Sequence, residues 1–217
     1  MPTASQSRTK KISILAMMCA LGWLTMFLIK IPVVSFLKYE PKDIFIVLSG
    51  FLYGPLAAAA VAFVTAVLEL PVSTTGFIGM VMNFLSSAAF ACIASLIYKR
   101  RKTLMGAVLG LVAGMAAMTV TMLLWNYLIS PLYMGVTREE IVPMLTTVFL
   151  PFNLLKSGIN SALTLLIYRP FVQVLQQAGF VTKGSVSKEN RGSAIAASVV
   201  CVLILVVCGV VIYCLNH

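Results

Sequence analysis

Three polar side chains share one stripe of an otherwise apolar stretch. The segment runs Leu150-Pro151-Phe152-Asn153-Leu154-Leu155-Lys156-Ser157-Gly158-Ile159-Asn160, and apolar residues continue to Tyr168. Asn153, Lys156 and Asn160 are spaced i, i+3 and i+7, so a helix sets all three on one face. A lysine at the centre of a bilayer costs about 2.5–3.5 kcal/mol on insertion scales, and such residues face a bundle interior or a polar ligand. Snorkelling to the interface serves a lysine near a helix end. Lys156 lies about a dozen residues before the basic end at Arg169. The stripe therefore reads as part of a binding site inside a membrane protein.

Composition supports that setting. The 217 residues are 60% hydrophobic and only 10% charged, with mean hydropathy +1.02. Soluble domains are about 25% charged. Repeated apolar runs of spanning length indicate a polytopic all-α membrane protein. The net charge of +10 does not point to nucleic acid, because the basic residues cluster in short segments between apolar runs. That is the positive-inside pattern, with attraction to an anionic lipid bilayer. The five cysteines all lie in apolar stretches without metal or disulfide spacing.

The elements that must position the stripe follow from the apolar runs. Residues 1–11 read as a basic cytoplasmic tail, and the first span as about 12–29. A loop of mixed charge (Lys30, Lys38, Glu40, Lys42, Asp43) leads to two short apolar runs, about 44–53 and 56–70, divided by the turn signal Gly54-Pro55. Spans at about 78–98 and 103–129 flank the block Lys99-Arg100-Arg101-Lys102. A loop at 130–142 precedes the sixth span at about 143–168, residues 171–192 form a polar linker, and about 193–214 is a seventh apolar run. With the N-terminus in the cytoplasm, the basic block, Arg169 and the linker fall inside. The loops at 30–43, 71–77 and 130–142 fall outside, and so does the C-terminus if the seventh run inserts.

This topology gathers the polar residues at the outer side. Glu40 and Asp43 lie in the first loop, Glu69 ends the third span, Asn83 is one turn into the fourth, and Trp125-Asn126 end the fifth. An outward-facing cavity lined by amides is expected, with Trp125, Tyr127 and Phe152 available for stacking. Amides donate and accept, which suits a flat heterocycle carrying both kinds of group. No GxxxxGK[ST], HExxH or GxSxG pattern occurs, and no nucleophile–base pair or metal cluster stands out. The residues point to a binder or transporter rather than an enzyme. In the first span, Ala16 and Ala20 have the small-xxx-small spacing that lets another helix approach closely. Gly106, Gly110 and Gly114 repeat it in the fifth, where internal packing is the favoured reading.

Several stretches together resemble the riboflavin-specific substrate-binding (S) component of energy-coupling factor (ECF) transporters, the RibU type. They are residues 36–43, 50–55, 73–84, 125–135 and 150–160, and the resemblance covers roughly residues 10–175. It implies a six-helix bundle that holds one vitamin near the outer face beneath a lid formed by the first loop. It also implies that a transmembrane coupling protein and two cytoplasmic ATPases supply the driving force. Riboflavin would be cargo, with no cofactor. The flavin contacts that match by motif are Asn83, Asn126, Asn153, Lys156 and Asn160, with Glu40 and Asp43 at the lid. Ala16 and Ala20 match the family's contact with the coupling protein. The seventh run departs from the six-span pattern and is expected to stand outside the site. An S component for a pteridine or thiamine, or a stand-alone secondary transporter, are the alternatives.

Overall fold

The computed structural model describes residues 4–34, 37–73 and 76–177. These form α1 (Ala4–Leu28), the strands β1 (Ile31–Val34) and β2 (Leu37–Tyr39), and the helices α2 (Asp43–Tyr53) and α3 (Pro55–Glu69). They continue with α4 (Gly76–Arg101), α5 (Leu104–Met134), α6 (Arg138–Met144) and α7 (Leu150–Gln177). Among the described residues, five helical segments are long and apolar enough to cross a membrane, and Asp43–Tyr53 is a shorter apolar helix. The helices are apolar nearly all round. On α1, Ile14 and Met18 are buried while Ile12, Leu24 and Phe27 are exposed, as expected of a helix with protein on one side and lipid on the other.

α2 is the hub. It packs against α1, α3, α4 and α7, and Ile44, Ile46, Val47 and Leu48 are buried together. It is short because Gly54 adopts φ +92° and Pro55 opens α3 at once. A residue without a Cβ takes that turn cheaply, and proline suits the first helical position. The most extensive contact joins α4 to α5. There a Cβ on Gly110 would lie 2.5 Å from the Ala94 carbonyl oxygen, and one on Gly114 would lie 2.6 Å from that of Phe90. The glycine series is thus an internal packing device, as expected.

Three expectations need correction. The first loop is not wholly irregular, so the described chain is not purely α: β1 and β2 pair antiparallel, with Ile31 opposite Tyr39 and Pro32 opposite Lys38. Proline removes a donor, yet a two-stranded ribbon is all edge, so the strand survives. The loop at 130–142 shrinks to 135–137. α5 continues through Pro131 until Gly135 takes φ +68°, and α6 begins at Arg138. The Glu140 carboxylate accepts from the Thr137 backbone N–H at 3.1 Å, a capping arrangement that starts a helix at that position. α7 also runs on to Gln177, past the point where the linker was expected to begin at 171. The rest of that linker, 178–192, and the run at 193–214 lie outside the described residues.

Between α6 and α7 the residues Leu145–Phe149 form a π-helical turn. Pro151 has no N–H to return to the preceding turn, which favours a local change of hydrogen-bond register. Such a turn shifts the angular position of everything after it, here the Asn153–Lys156–Asn160 stripe.

Candidate functional site

The site is a cavity of about 370 Å³ at the end of the bundle that carries the β-hairpin. α4 contributes Asn83 and Ser86, α5 contributes Asn126, and α7 contributes Phe152, Asn153 and Lys156. Glu69 closes one wall, and Lys30, Lys38 and Glu40 border it from the hairpin and its flanks. Phe149, Met82, Met122 and Met134 supply apolar surface. Small-molecule pockets span about 300–1,000 Å³ and combine apolar walls with a few convergent polar groups. This cavity has that make-up.

Backbone carbonyls of their own helices hold two of the amides. Asn153 Nδ2 donates to the Phe149 carbonyl at 2.7 Å, a group at the end of the π turn. Asn126 Nδ2 donates to the Met122 carbonyl at 2.7 Å, and its Oδ1 accepts from the Ser130 hydroxyl at 2.8 Å. Each amide is thereby fixed in rotamer, and buried polar groups are paired as they must be in a dry interior.

Beneath the cavity lies a floor of charge. Asp43, fully buried at the first position of α2, accepts from the Asn160 side chain at 3.1 Å and from the Ser87 hydroxyl. Lys156 Nζ stands 3.8 Å from Asp43 Oδ2. That is an ion pair beyond hydrogen-bond length, and an ammonium has three donors, so Lys156 retains donor capacity toward the cavity it lines. Asn160 Oδ1 accepts from the Tyr39 hydroxyl at 2.9 Å, which fastens the hairpin to α7.

A second cluster flanks the first. Lys42, only 1% exposed, donates to Glu69 and stands 3.5 Å from Glu40. Glu40 also lies 4.0 Å from Lys30. Burial pushes the Glu40 carboxyl above the usual carboxylate range, against the opposing pull of Lys42. Each of the three carboxylates has a lysine partner, so the site's charge is largely compensated before any ligand arrives.

The family model for the substrate-specific component of ECF transporters matches residues 10–168. This chain belongs to that family. It is 28% identical over 181 residues to the riboflavin transporter RibU of Streptococcus thermophilus, covering 78% of this chain and 86% of that one. It is 26% identical over 187 residues to the riboflavin transporter FmnP of Bacillus subtilis, covering 79% and 98%. A solved structure described as the S component of a bacterial ECF transporter superposes with a TM-score of 0.67 at 26% identity, over 78% of this chain and 99% of the other.

In this S component the predicted residues divide by depth. Asn83, Asn126, Asn153, Lys156 and Glu40 line the cavity. Asn160 and Asp43 instead form the buried network under Lys156. The lid position expected for Asp43 is corrected: it opens a buried helix, where its carboxylate is enclosed on all sides. Of the expected stacking residues, Phe152 lines the cavity but Trp125 and Tyr127 do not. Trp125 packs against the core, and Tyr127 is partly exposed with Arg138 over its ring at 5.9 Å. One position along a helix is a rotation of about 100°, so neighbours of Asn126 cannot share its face. Lys42 was not expected at the site, and Glu69 was placed on the cavity side without a role in it. The available signal was a lone carboxylate ending an apolar run within reach of a loop rich in lysine.

Proposed function

We propose that this chain is the riboflavin-capturing subunit of an ATP-driven vitamin importer and performs no chemistry on its cargo. The observation that carries the reading is the convergence of Asn83, Asn126, Asn153 and Lys156, from three helices, on one cavity of small-molecule size. Fixed amides and an ammonium offer donors and acceptors to the edge of an isoalloxazine ring. Phe152 and the methionines offer apolar contact to its faces. The names of the curated relatives supply the vitamin. Compensated charge suits an uncharged ligand better than an ionic one.

The coarser reading, a multi-pass membrane S component, extends to finer ones. We infer six crossings formed by α1 to α5 and the α6–α7 unit, with the short α2 embedded among the others. The N-terminus is taken as cytoplasmic. Lys11 lies 5.5 Å from the Tyr53 ring at the far end of α2, the end also reached by Lys99–Arg101. These cations are about 24 Å from Asn83 along α4 at 1.5 Å per residue, which fits positive-inside. A transmembrane coupling protein and two ATPases would supply the energy. Ala16 and Ala20, exposed on α1, offer the coupling protein a smooth face. The run at 193–214 is read as a seventh crossing outside the site.

The test is purification from flavin-containing cells followed by an absorbance spectrum and a riboflavin fluorescence titration. Near-stoichiometric yellow protein, or saturable quenching after flavin removal, is the expected result. A colourless protein that fails to quench would overturn the flavin assignment and move the search to pteridines and thiamine.

A further inference from the structure

Among the described cavity amides, Asn83 alone has a charged side chain as its partner. Its Nδ2 donates to Glu69 Oε1 at 2.7 Å. The other carboxylate oxygen, Oε2, accepts from Lys42 Nζ, and Lys42 is buried with Glu40 as its further counter-charge. A carboxylate paired with an ammonium only accepts hydrogen bonds, and an ammonium only donates them. The order along the wall is therefore forced. Lys42 donates to Glu69, Glu69 accepts from the Asn83 NH₂, and the Asn83 carbonyl oxygen is left to the cavity. A turned amide would set two acceptors against each other at a part-buried contact and forfeit a hydrogen bond to a charged group.

We infer that Lys42 and Glu69 are positioning residues that set the hydrogen-bond polarity of the site: through them Asn83 accepts, and the ligand must present a donor to it. The inference rests on the riboflavin reading only for the choice of probe. Riboflavin carries one ring N–H and several ribityl hydroxyls, so it can meet the requirement.

Glu69→Gln should reverse the wall rather than merely weaken it. Lys42 still demands an acceptor, so the new amide keeps its oxygen toward Lys42 and turns its NH₂ toward Asn83. Asn83 must then offer its oxygen to that group and face the cavity with NH₂. A ligand donor now meets a donor, and riboflavin affinity should fall about 10- to 100-fold. In the double variant Lys42→Met, Glu69→Gln, nothing compels the residue-69 amide, Asn83 can turn back, and most of the loss should be recovered. A purely structural role for the pair predicts the opposite order, with the double variant no better than the single.

The experiment is a fluorescence titration of riboflavin with wild type, Glu69→Gln and the double variant, all in detergent. It is accompanied by a spectrum of the ligand-free wild-type protein labelled with ¹⁵N-asparagine. Wild-type binding tests the riboflavin reading by itself. Recovery in the double variant supports the inference. It is overturned if Glu69→Gln binds like wild type, or if the double variant binds no better than Glu69→Gln. The spectrum does not depend on ligand or on the stability of any position-69 variant. One Asn83 amide proton, assigned by its loss in Asn83→Ala, should be displaced downfield by the carboxylate, and an undisplaced resonance would refute the orientation.

Discussion

At the residue scale, we propose Lys156 as a principal polar contact to the ligand. It lines the cavity at 7% exposure, with Asp43 3.8 Å away as counter-charge. Lys156→Ala should weaken riboflavin binding about 10- to 100-fold, since hydrogen bonds to charged groups contribute about 1.5–3 kcal/mol. The fold should survive, because Asp43 keeps its bonds from Asn160 and Ser87. Asn153→Ala should act in the same direction, by a smaller factor. Fluorescence titration together with an unchanged gel-filtration profile checks both, and normal affinity in the two variants would relocate the site. The stripe was legible because Asn, Lys and Asn at helical spacing are conspicuous in an apolar run. Lys42 and Glu69 were less legible, since each looks like an ordinary charge at the edge of a span until the fold buries one against the other.

At the scale of elements, the hairpin borders the cavity through Leu37 and Lys38, and we propose that it covers the site. It is tied to α7 by the Tyr39 hydroxyl on Asn160, and the turn that follows it reaches α3 through Lys42 on Glu69. Tyr39→Phe removes one buried neutral hydrogen bond, about 1 kcal/mol, and leaves the rings and the β-pairing in place. Its expected effect is a riboflavin dissociation rate about fivefold faster, with a smaller change in association rate, read by stopped-flow fluorescence. An unchanged dissociation rate would show that this tie does not hold the cover closed. The strands were hidden in the sequence by two prolines and by their brevity. The start of α6 was hidden because Thr137 and Glu140, a capping pair, sit in what reads as a charged loop.

For the whole molecule, binding and transport should separate. Ala16 and Ala20 are exposed on α1, away from the cavity. Ala16→Leu with Ala20→Leu should leave riboflavin titration unchanged and sharply reduce uptake in cells that supply the coupling protein and ATPases. Equal loss of both would mean that the helix face serves the bundle itself. The distribution of charge belongs to this scale too. Lys99, Arg100 and Arg101 stand at the end of α4 away from Asn83, while Lys30, Lys42 and Lys156 pair with the acids around the cavity.

What the sequence determined by itself was whatever a solvent imposes on a linear pattern. Apolar runs of spanning length require helices, basic blocks between them require an orientation, and a lysine within such a run requires a polar neighbourhood. The tertiary structure decided which neighbours those are. Tyr39 and Asn160 are 121 positions apart, and Asp43 and Asn160 are 117. No local periodicity encodes such pairs. They arise because the turn at Gly54-Pro55 keeps α2 short in the middle of the bundle, and because the π turn before Leu150 rotates α7 to face it. The division between residues that line the cavity and residues that orient them is therefore a property of packing.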